Sequence, residues 1–96
     1  MIPPVALPVV RRAILDLLEE IGGEHNHDTL TLQLRGLGHR VAARDVAEQL
    51  GWLDSAGLVK AEQLGAFTVV RILTDGRDVA TGQLAYEGVS RHRTGE

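Results

Sequence analysis

The stretch from Asp45 to Val59, DVAEQLGWLDSAGLV, changes its period part-way through, and that change decides the fold. Around a helix, Val46, Leu50 and Leu53 share one side with Ala43 and Ala47, while Arg44, Asp45, Glu48, Trp52 and Ser55 share the other. Gly57 is placed to end the helix as a left-handed cap. Beyond it the run LVKAEQLGAFTVVRIL, residues 58–73, has an extended pattern. It predicts a β-hairpin with Gln63, Leu64 and Gly65 near its tip and Phe67 to Ile72 as a β-branched return strand.

Upstream, GHRVA is a short turn, residues 38–42, preceded by a helix that carries Leu30, Leu34 and Leu37 and stops at Gly36 and Gly38. Asp28 is the expected N-cap of that helix, and the polar EHNHD has room for a very short strand. A longer helix comes first. Val10, Ile14, Leu17 and Ile21 recur along it at helical spacing with Ala13 and Leu18, opposite Arg11, Arg12, Asp16, Glu19 and Glu20, before Gly22 and Gly23 end it. Pro3, Pro4 and Pro8 predict an extended arm over residues 1–8, with Pro8 tolerated in the opening turn. Downstream, TDGRDVATG is a short helix expected to be capped by Thr74 or Asp75 and closed by Gly82. Residues 83–96 read as a tail ordered to about Val89 and frayed beyond. The fold class is therefore mainly α with a β-hairpin, in the order helix, helix, helix, hairpin, short helix. That order over residues 9–82 is a winged helix-turn-helix.

At this point the chain resembles a known family. The run Val41, Ala42, Ala43, Arg44, Asp45 and Val46, continuing through Leu50, Trp52, Leu53, Gly57, Leu58 and Val59 to RILTDGRDVATG, is similar to small winged-helix proteins encoded by Mu-like transposable phages and prophages. The likeness covers nearly the whole chain after residue 8. Its most specific parts are LGWLDSAGLV and the pair DVATG and GV. It implies a bacterial or prophage origin and the winged-helix fold, and no particular activity. Two departures stand out. Ala42 occupies the position where a Ser or Thr commonly caps the third helix, and the segment between Leu73 and Gly76 is one residue shorter than usual.

With 96 residues, 44% hydrophobic and 24% charged, the chain has the composition of one small globular domain. One Trp, one Tyr and one Phe leave the core to aliphatic side chains. The absence of cysteine excludes disulfides, thiolate catalysis and thiolate metal sites, and fits a reducing cytoplasm. The arginines that follow the first apolar residues argue against a signal sequence, and no run is apolar enough to span a membrane. A net charge of −3 counts against nucleic acid unless positive charge is concentrated locally.

Under the winged-helix reading, His39, Arg40, Arg44, Glu48 and Gln49 are the residues expected nearest DNA. Arg44 suits a bidentate bond to guanine and Gln49 one to adenine. Against this, Asp45, Glu48 and Asp54 make the third helix acidic, and the wing offers Glu62 and Gln63, so a merely solvated face is an equal alternative. Trp52 is expected at the base of the wing, stacked on Phe67 or Val69; exposed, it would mark a protein interface instead. Both faces of the hairpin are largely apolar, so Trp52, the segment around Leu84 and Tyr86, or a second subunit should cover the outer one. The first helix, preceded by the apolar arm of Ile2, Val5 and Leu7, offers a further dimer surface, and a homodimer is expected. Arg91 to Arg93 could supply a cationic end. Glu24, His25, His27 and Asp28 match no strong zinc spacing, so polar loop and helix cap are the preferred roles and no metal is expected. No nucleophile elbow, phosphate loop or catalytic dyad is present, so neither catalysis nor a cofactor is expected. Two functions remain. One is a phage-encoded DNA-binding regulator acting as a homodimer; the other is an interaction module that binds a phage or host protein through its acidic third helix, Trp52, Gln63 and Phe67.

Overall fold

The computed structural model describes residues 1–91. A single 3-10 turn, Pro4–Ala6, leads into α1 (Leu7–Ile21), followed by β1 (His25–Asn26), α2 (His27–Gly36), α3 (Ala43–Ser55), β2 (Val59–Leu64), β3 (Phe67–Ile72) and α4 (Thr74–Ala80). The chain is mainly helical with one three-stranded antiparallel sheet in the order β1-β3-β2.

The N-terminal arm is not extended. Proline fixes φ near the value that helices also use, so the prolines favour a wound start as readily as an open one. The Ala6 N–H donates to the Pro3 carbonyl at 2.9 Å, and α1 begins at Leu7 with Pro8 in its first turn. Ile2 is buried in the core, which withdraws it from the dimer surface expected of the first helix and the arm before it; Val5 alone of the arm's three apolar residues is open. From α1, Val10, Ile14, Leu15 and Leu18 enter the core.

The cap of α2 is Asn26 rather than Asp28. Strand β1 pairs His25 with Val70 and Asn26 with Val69, and the helix starts at once behind it. Asn26 Oδ1 then accepts the Thr29 N–H at 2.8 Å, leaving Asp28 inside the first turn, where its charge faces the positive helix end. Leu30 and Leu34 are buried, but Leu37 is the C-cap residue and remains 63% exposed. Gly38, at φ +96°, reverses the chain: its N–H donates to Arg35 and that of His39 to Leu34.

Helix α3 repeats this ending at Gly57, φ +78°, where the Gly57 and Leu58 N–H groups donate to Asp54 and Leu53. Val46, Leu50 and Leu53 are buried as the spacing requires. The hairpin tip lies one residue later than expected, in a two-residue turn of Gly65 and Ala66 closed by the pair Leu64–Phe67. Gly65 has φ +63°, which the first position of a tight hairpin turn demands. Helix α4 carries no side-chain cap; Thr74 and Asp75 lie within it and Leu73 precedes it. Here the backbone does the work. The Leu73 N–H donates to the Leu58 carbonyl, and Gly76 packs so closely on that carbonyl that a Cβ would lie 1.9 Å from its oxygen.

The core runs from Ile2 to Val89, so residues 1–8 and the described part of 83–96 belong to one packed body with residues 9–82. Arg12 binds the ends together by donating to the carbonyls of Val79, Ala80 and Ser90, while the Ser90 N–H donates to Pro8 at 3.1 Å. The fraying expected beyond Val89 falls largely on residues outside those described. No helix among the described residues is long and apolar enough to cross a membrane.

Candidate nucleic-acid interface

The turn between α2 and α3 forms an open depression lined by Arg35, Gly38, His39, Arg40, Val41 and Ala42. Its shape is fixed from within. Arg35 Nε donates to the Val41 carbonyl at 2.8 Å, and Val41 itself is buried. Arg40 is exposed and His39 half-buried; in the first turn of α3, Arg44 is exposed as well. Arg44, Glu48, Gly51 and Ser55 then follow one another along the outer face of the helix.

The acidity expected of that face is largely turned away from it. Asp45 is only 8% exposed: its Oδ2 accepts the Ala42 N–H at 3.1 Å and lies 3.5 Å from the Met1 amino nitrogen. It thus satisfies one of the backbone donors at the start of α3, even though Ala42 offers no side-chain cap of its own. Asp54 reaches sideways to β2, where its Oδ2 accepts the Ala61 N–H at 2.8 Å and closes the outer edge of the sheet. Glu48 is left as the one fully exposed acid of α3.

Gln49 does not sit where it could read adenine. It is 8% exposed and its Oε1 accepts from Arg11 Nε at 2.8 Å, because α1 crosses beside this part of α3. Trp52 is likewise misplaced by the sequence reading. It stacks on neither Phe67 nor Val69; the Arg11 guanidinium lies 3.8 Å from its ring centroid and the Tyr86 ring meets it edge-on at 5.9 Å. Arg11 also donates to the Gly88 carbonyl at 3.1 Å, so the segment after α4 is strapped over α1 and α3. Partial burial lowers the Arg11 pKa, but an arginine keeps its charge at neutral pH, which the contact with the Trp52 face requires. In the sequence, Arg11 belongs simply to a polar helix face. Its partners come from α3 and the tail, and spacing along one helix does not reveal them.

At the hairpin, Phe67 is 46% exposed and leans on His27, with ring centroids 6.2 Å apart. The Thr68 N–H donates to His27 Nδ1 at 3.0 Å, so that nitrogen carries no proton and Nε2–H faces Asp28. Gln63 is tied to the turn: its Nε2 donates to Gly65 at 3.0 Å and its Oε1 accepts from the Thr68 hydroxyl at 3.2 Å. The hairpin also carries two cations. Lys60 and Arg71 are directly opposite each other and both exposed. Between α3 and the hairpin runs a groove lined by Ala47, Gly51, Asp54, Ser55, Ala61, Glu62, Gln63 and Thr68. Arg91 is exposed, while His92 and Arg93 lie outside the described residues. His25 Nε2 donates to Gly22 at 2.7 Å, and no cluster of three or more His, Asp or Glu side chains suited to a metal occurs among the described residues.

Over 83 residues the chain is 37% identical to the uncharacterized protein gp26 of Escherichia phage Mu, a match covering 86% of each. The chain belongs to the gp26 family of Mu-like phages. This bears out the phage kinship expected from residues 41–82 and carries no statement of fold or activity. No protein-family model matches the chain, and no solved structure does.

Proposed function

We propose that this member of the gp26 family is a winged-helix DNA-binding protein, a transcriptional regulator that acts as a homodimer. In this reading α2 and α3 form the helix-turn-helix and the β2–β3 hairpin is its wing. The observation that carries it is the burial of Asp45 at the start of α3, together with the sideways engagement of Asp54 by β2. With Asp45 buried and facing the Met1 amino group, the outer surface from the turn into α3 presents Arg40 and Arg44 against Glu48, with His39 beside them as a hydrogen-bonding group, so positive charge outweighs negative where a helix-turn-helix needs it. Arg44 remains the best candidate for a base edge, Arg40 for phosphate. Gln49 and Trp52 support the surface from beneath.

The test is a competition of labelled prophage control-region duplex against random duplex. Arg44→Ala should cost about 1–3 kcal/mol of discrimination, whereas Arg40→Ala should weaken binding to both duplexes alike. Discrimination unchanged in Arg44→Ala would remove that residue from base reading.

A second reading, a module that binds a phage or host protein through its wing, is favoured by the exposed Leu64 and Phe67 and by the net charge of −3. It loses its expected anchor, since Trp52 lies beneath Arg11.

A further inference from the structure

The hairpin pairs Lys60 with Arg71, Glu62 with Val69 and Leu64 with Phe67, and these side chains share the outward face. Like charges directly opposite each other weaken a ladder. Lys60 and Arg71 nevertheless stand opposite one another, and neither makes an ion pair among the described residues. An anion shared between them would relieve that repulsion. At the other end, Leu64 and Phe67 are 53% and 46% exposed while the inward face is already filled by Val59, Val70 and Ile72. The tip that carries them is braced by Gln63, by Thr68 and by the His27 ring.

We propose that this tip is an apolar wedge, in which Leu64 and Phe67 enter the minor groove of duplex DNA and bend it while Lys60 and Arg71 hold the flanking phosphates. The inference rests on the DNA-binding reading above. Four residues of strand separate Lys60 from Leu64, about 13 Å, whereas the minor groove is about 7.5 Å deep. With the tip on the groove floor, the cations therefore stay outside, beside the backbone. Two strands about 4.8 Å apart, carrying a leucine and a phenylalanine, do not fit a groove about 6 Å wide unless a base step opens. Opening is easiest at TA and CA steps, so these are the sequences the wing selects. Glu62, midway along the same face, repels phosphate and keeps charge alone from seating the hairpin.

The experiment is energy transfer between dyes at the ends of duplexes that carry a central TA or CA step, with a stiff A-tract duplex as control, alongside anisotropy to measure binding. Wild-type protein should bend the flexible duplexes by roughly 20–90°. The double variant Leu64→Ser/Phe67→Ser, whose changed side chains are half-exposed, should fold, bind and leave them straight. Lys60→Gln/Arg71→Gln should reduce the salt slope of binding by about two. Binding by the wild type without bending, or equal bending by the Leu64→Ser/Phe67→Ser variant, overturns the wedge and leaves the DNA reading standing. A change confined to oligomeric state in that variant also overturns it, making the tip a contact between copies. No binding to any duplex overturns both.

Discussion

At Gly76 one methyl group would separate a packed helix from a broken one. Its Cβ would fall on the Leu58 carbonyl oxygen, a backbone atom already held by the Leu73 N–H, so nothing nearby can give way. Gly76→Ala should therefore lower stability by about 2 kcal/mol or more, despite alanine's better helix propensity, as urea unfolding would show. Gly51 is the opposite case. It sits mid-helix on α3 with nothing within 4 Å of a Cβ, so Gly51→Ala should stabilise by roughly 0.8–1.0 kcal/mol. If α3 lies in a DNA groove, the same methyl group should also weaken binding; a stabilised variant with unchanged affinity would place DNA elsewhere. The sequence showed both glycines in helices but could not distinguish them. What differs is a carbonyl from another element, which periodicity does not contain.

Among elements, the regular ones were legible and their joints were less so. Val46, Leu50 and Leu53 mark α3 because one apolar row is enough to reveal a helix, and Gly57 marks its end because only a left-handed residue reverses the chain there. Caps were misread at α2 and α4 because a strand runs directly into each helix and moves its start. At α3 the capping position is empty. Ala42 has the extended backbone of an N-cap, so Ala42→Ser should add about 1 kcal/mol, a rise of roughly 4–8 °C in Tm. The strap of Arg11, Trp52, Tyr86 and Gly88 was invisible in sequence because its members are brought together from the start, the middle and the end of the chain. Arg11→Ala removes the cation over the indole and two hydrogen bonds, and should cost roughly 1–3 kcal/mol. Its signature is optical: Trp52 emission should shift to the red and become accessible to acrylamide before the rest of the fold melts. An unshifted emission would mean that Tyr86 and Gly88 shield the ring without Arg11.

For the molecule as a whole, the formal charge of −3 suggests a poor partner for DNA, yet total charge is not what a duplex meets. Asp45 is buried at the start of α3 and Asp54 is tied sideways to β2, while Arg40 and Arg44 face outward. That division between a buried Asp45 and outward arginines could not be read from composition, which counts both alike. It is also the central claim, and salt tests it most directly. The protein should be titrated by fluorescence anisotropy against prophage control-region duplex over a series of salt concentrations. If Arg40, Arg44, Lys60 and Arg71 each displace a counterion, the logarithm of the binding constant should fall with the logarithm of salt with a slope of roughly −3.6 per protomer, doubled in a dimer. Undetectable binding at low salt by folded protein, or a slope near zero, would contradict it.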